Sequence, residues 1–192
     1  HEFAHAVVAD ALGDPTPRAL GRVTLNPLSH LDAVGTILLV LVHFGWGRPV
    51  PVDTRFLRNP RRDLVLIAAA GPAINLATAV VVGLCLRVLA PTLLVTSMGT
   101  FLFLSMQALV LLSLFLAFFN LIPLPPLDGS KVLGNLLPEP LGSRYRNSSW
   151  LMWGLLAVIL FSSLTGTYLI TGLIFPPARL LYGLLVGLPL GG

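Results

Sequence analysis

The sequence predicts an all-α membrane protein, a multi-pass helical core with re-entrant or irregular segments and one short β element. Three observations carry this. Of the 192 residues, 55% are apolar and only 10% charged, and the mean hydropathy is +0.87, more apolar than a soluble domain of this size. Several uncharged runs reach the roughly 20 residues that a helix needs to cross ~30 Å of hydrocarbon. The net charge of +4 comes from cations gathered beside those runs, where they act as topology signals and not as a nucleic-acid footprint. No polar linker divides the chain, so residues 1–192 are read as one domain. Cys85 is the only cysteine and lies in an apolar run, which excludes a disulfide framework or a CxxC metal site.

Residues 1–12 (HEFAHAVVADAL) hold good helix formers, and Gly13, Asp14 and Pro15 supply the stop. The chain opens on His1 in mid-pattern, so more of this helix is expected upstream. Residues 16–28 are bounded by Pro17 and Pro27 and alternate around Gly21, which predicts a short strand pair or extended loop. Such an edge could receive an unwinding peptide as an added strand. Residues 33–44 are apolar but too short to cross a bilayer, as in a half-membrane helix. His43, Phe44 and Trp46 then mark an interface. Three spans are predicted, at 64–90, 99–122 and 151–175, the last ended by Pro176 and Pro177, with a short interfacial helix over 178–188. Gly71 and Pro72 interrupt the first span, where a kink or a close helix approach is expected.

Arg48, Arg55, Arg58, Arg61 and Arg62 fall in residues 45–63, and Lys131, Arg144 and Arg146 in residues 123–149, while residues 91–98 carry no cation. Both basic connectors are therefore expected on the cytoplasmic side. Two spans separate them, as an up-and-down pair requires.

His1, Glu2 and His5 form HExxH. On a helix the i, i+4 spacing sets both imidazoles on one face, where they can share a zinc ion with the glutamate beside it as general base. An accidental match is disfavoured, because membrane helices are poor in His and Glu. A catalytic zinc takes a third protein ligand and keeps an open position. Asp128 is the leading candidate. It ends NLIPLPPLDG, residues 120–129, whose prolines impose irregular backbone that is tolerated at membrane depth only around a cavity or inside protein. The bland alternative is that Asp128 merely caps a helix starting near Ser130.

HEFAH together with NLIPLPPLDG resembles the paired signature of site-2 proteases, intramembrane zinc metalloproteases of the compact prokaryotic branch. AGPAIN at 70–75 and LNPLSHLD at 25–32 extend the likeness over nearly the whole chain. The resemblance implies one Zn2+ per chain bound by His1, His5 and Asp128, with Glu2 as general base and acid. It implies a transmembrane protein substrate cleaved within the bilayer, and a multi-pass protein of a prokaryotic cell membrane with its active site near the cytoplasmic side. It also implies that Asn75 and Asn120 help position the substrate or the tetrahedral intermediate. The rival reading is a catalytically inert membrane scaffold or chaperone of the same fold, against which the intact HExxH and LDG motifs speak together. A different membrane zincin would need Glu139 as third ligand, and Glu139 stands between Pro138 and Pro140. Of the remaining polar groups, Asp32 is expected to cap the helix at 33–44, with His30 beside it, and Asp10 to face water.

Overall fold

A computed structural model describes residues 1–42, 45–167 and 169–187; the expected interface residues His43 and Phe44 lie outside these. In chain order the helices are α1 (Glu2–Ala11), α2 (Thr16–Ala19), α3 (Ala33–Val42), α4 (Pro60–Leu93), α5 (Ser97–Leu121), α6 (Asp128–Leu136), α7 (Leu141–Arg146), α8 (Ser149–Thr165) and α9 (Leu169–Val186), with 3-10 turns at Pro27–His30 and Thr54–Phe56. Among the described residues the chain is all-α. Its β structure is one antiparallel bridge between Leu31 and Gly47.

Two compact units form, one from His1–Gly71 and Asn120–Leu169, the other from Pro72–Phe119 with Ile170 onward. In the first unit, Ala9, Leu57 and Ile67 make a small core with Val8, Leu12, Val52 and Leu64 against it. Asp14, wholly buried, joins two loops there: its carboxylate accepts from the Thr16 amide at 2.9 Å and from the Asp53 amide at 2.8 Å. Asp32 caps α3 by accepting from the Gly35 amide at 2.8 Å, as the sequence suggests. In the second unit Leu86, Phe103, Val110, Leu114, Tyr182 and Val186 form the core between the outer part of α4, α5 and α9.

Helices α4, α5 and α9 are long and apolar enough to cross a membrane. They expose large apolar side chains such as Val88, Phe101 and Leu180, a surface that suits lipid and not water. Helix α4 continues through Gly71 and Pro72, the pair at which the sequence places a kink or a close helix approach.

Two expectations are corrected. Residues 16–28 form no strand pair: Pro17 in the first turn of α2 favours a helix start, and the antiparallel bridge falls instead at Leu31 and Gly47. The third span is not 151–175. Gly166 takes a left-handed conformation (φ +66°) and ends α8, and the chain restarts as α9, which includes Pro176 and Pro177 and absorbs most of the expected helix at 178–188. The Pro-Pro pair reads as a stop in water-soluble logic, but membrane helices tolerate proline where neighbours satisfy the freed backbone groups.

Candidate metal centre

Helix α1 presents His1 and His5 one turn apart, their rings edge to face with centroids 4.7 Å apart. Asp128, the first residue of α6, reaches the same point from the Pro-rich turn after α5. Leu127 is the N-cap of α6, so Asp128 stands inside the helix and not at its capping position. Its Oδ2 lies 3.0 Å from His1 Nε2 and 3.1 Å from His5 Nε2, and the two nitrogens are 3.1 Å apart. A near-equilateral triangle of two imidazole nitrogens and one carboxylate oxygen results, within the first unit. It is the group of His, Cys, Asp and Glu side chains among the described residues that could hold a metal ion.

Each ligand-type atom is oriented by a neighbour. His5 Nδ1 lies 2.6 Å from the carbonyl oxygen of Ile67 on α4. A carbonyl only accepts, so Nδ1 carries the proton and Nε2 turns its lone pair toward the triangle. Lys131 Nζ donates to Asp128 Oδ1 at 2.9 Å, which occupies one carboxylate oxygen and leaves the other to the histidines.

Two glycines let the backbone close in. A Cβ on Gly129 would stand 2.6 Å from the Ile122 carbonyl oxygen and closer still to that of Leu121, so the DG of the motif lets α6 start tight against the end of α5. A Cβ on Gly71 would come within 2.6 Å of His1 Nε2 and nearer yet to His5 Nε2. With hydrogen there, both rings keep their places. A tetrahedral zinc about 2.0 Å from each nitrogen sets its donors about 3.3 Å apart, close to the observed triangle, so the donor set fits that ion.

Glu2 is half-buried. Gly47 lies beside it, since a Cβ there would stand 3.5 Å from Glu2 Oε1. Asn75 is buried one turn beyond Gly71 along α4, and Asn120 is half-buried in the last turn of α5. Asp10 faces away and pairs with Arg18. Glu139 is held by Arg61 and Arg146, each 2.7 Å away, an arrangement that serves the surface and not a metal. Sequence reading missed Lys131, counted only as a topology cation, although its i+3 spacing from Asp128 at a helix start was a usable signal. The Ile67 carbonyl carries no sequence signal at all.

Over 176 residues the chain is 42% identical to the Bacillus subtilis (strain 168) protein named "Putative zinc metalloprotease YwhC", an alignment covering 88% of this chain and 78% of that protein. Residues 95–161 match peptidase family M50. The chain belongs to this family, the site-2 proteases. A second family relative, "Putative zinc metalloprotease Rip2" of Mycobacterium tuberculosis (strain ATCC 25618 / H37Rv), is 36% identical over 149 residues, covering 72% of this chain and 54% of its own length. No solved structure matches the chain. It is thus a membrane protein of a zinc metalloprotease family, and the site-2 match over 95–161 includes the Pro-rich turn and Asp128.

Proposed function

We propose that this chain is the catalytic core of an intramembrane zinc protease, which hydrolyses peptide bonds within transmembrane segments of other proteins. The observation that carries the reading is the triangle of His1 Nε2, His5 Nε2 and Asp128 Oδ2, with sides of 3.0 to 3.1 Å. These three residues hold one zinc ion per chain, which when bound polarises the scissile carbonyl and acidifies water. Glu2, next to His1 in sequence and beside Gly47, takes the proton of the attacking water and returns it to the leaving amine. Asn75 and Asn120 offer amide donors and acceptors for positioning the unwound substrate backbone or the intermediate.

The membrane placement follows from charge. Glu139 pairs with Arg61 and with Arg146, joining the two basic connectors that the positive-inside rule sets on the cytoplasmic side. That pairing supports a multi-pass protein of the cell membrane with its active site toward the cytoplasm, a lipid bilayer around it and a transmembrane protein as substrate.

The test is metal content and cleavage of a model transmembrane substrate by the full-length protein in detergent, wild type beside Glu2→Gln. Zinc in both with cleavage only in wild type is the expected result. Absence of zinc from both would favour the inert scaffold.

A further inference from the structure

We infer that Gly71 is the clearance residue of the metal centre: the space in front of its Cα, where any other amino acid carries Cβ, is the space that the His1 and His5 rings need in order to present both Nε2 atoms to one ion. This rests on the zinc reading above and adds to it a residue that is not a ligand.

Gly71 is buried and sits on α4 one turn after Ile67, whose carbonyl fixes the His5 ring. One stretch of α4 therefore both aims His5 and walls the site. The nearest atoms to a Cβ built at Gly71 are His5 Nε2, His1 Cε1 and His1 Nε2, the latter two at 2.6 Å, whereas ordinary contact begins near 3.4 Å. These atoms belong to the ends of the two imidazoles that would hold the ion. A zinc ion is held about 2.0 Å from each such nitrogen, so a methyl group that pushes either ring aside spoils the donor geometry. His5 cannot swing aside without giving up the Ile67 bond. Gly71 has no left-handed φ, so the requirement for glycine here is steric and not conformational.

The neighbouring alanines Ala69 and Ala70 show that α4 accepts a Cβ elsewhere along this turn. What singles out residue 71 is the pair of nitrogens it faces.

The experiment measures zinc affinity by chelator competition, and thermal unfolding with and without added zinc, on the full-length protein in detergent as wild type, Gly71→Ala, His1→Ala/His5→Ala and His1→Ala/His5→Ala/Gly71→Ala. Gly71→Ala should bind zinc about tenfold more weakly or worse with all three ligands intact, and zinc should raise its unfolding temperature less than that of wild type. If Gly71→Ala fails to fold, the pair without imidazoles decides. Gly71→Ala that costs nothing once both rings are gone supports the close approach, and the same loss with and without the rings overturns it. Wild-type zinc affinity in Gly71→Ala would overturn the inference while leaving the protease reading intact, whereas a wild type without zinc would fail the protease reading itself.

Discussion

Lys131 Nζ donates to Asp128 Oδ1 at 2.9 Å while Asp128 Oδ2 faces His1 and His5. The two oxygens of one carboxylate are thereby divided between a structural cation and the candidate metal site. Groups that orient a ligand from behind commonly contribute ten- to hundredfold in metal affinity. Lys131→Met should therefore weaken zinc binding by about 10- to 100-fold with little effect on folding, because the lysine side chain is 56% exposed. Chelator competition measures this, and unchanged affinity would reduce the pair to a surface contact.

Asp128→Asn should be worse for zinc than Lys131→Met, since it removes the anionic donor itself and leaves the Lys131 ammonium facing a neutral amide. Metal content per chain, read by elemental analysis beside Glu2→Gln, separates the roles. The Glu2 variant should retain metal and the Asp128 variant should lose it. Equal loss in both would mean that Glu2 also holds the ion.

Asp14 tests the scaffold. It is wholly buried and satisfies the amides of Thr16 and Asp53. Asp14→Ala leaves both donors unpaired, at a cost of about 1–3 kcal/mol for a buried unsatisfied group. Denaturant unfolding in detergent should show that loss, and a variant as stable as wild type would show that water replaces the carboxylate.

Gly129→Ala should destabilise the chain by about 1–3 kcal/mol through overpacking, because its Cβ would press on the carbonyls of Leu121 and Ile122. It should also lower zinc affinity, since α6 must shift and Asp128 moves with it. A stable variant with unchanged zinc affinity would show that the turn yields without moving the carboxylate.

Acid titration should expose the connector pairing. Arg146, then Arg61 and Ser143, hold the Glu139 carboxyl down to about 2 from 4.5. A carboxylate lowered on folding stabilises the protein fully above its unfolded value, and that contribution is lost as pH falls through the folded one. Wild type should therefore lose stability between about pH 4.5 and 2 more steeply than Glu139→Gln. The difference should be small, because the group is solvent-exposed and screened. Parallel pH profiles of the two unfolding temperatures would show that the pairs contribute nothing.

How much of this was legible beforehand follows from which forces are local. The HExxH spacing is set by the helical repeat, so His1 and His5 share a face whatever surrounds them, and the apolar runs of α4 and α5 are long enough to name their own solvent. The prolines of residues 123–126 likewise force an irregular turn before Asp128. These the sequence determined by itself. Whether Asp128 caps its helix or meets two histidines more than 120 residues away depends on how α1 and α6 pack, and only the tertiary structure decided it. The same holds for the Ile67 carbonyl and for Gly71, whose importance lies in what stands opposite. The break at Gly166 was decided there too, because a left-handed turn and a tolerated Pro-Pro pair depend on neighbours that satisfy the backbone. Periodicity and composition are properties of a chain. The clearance around a metal is a property of its packing.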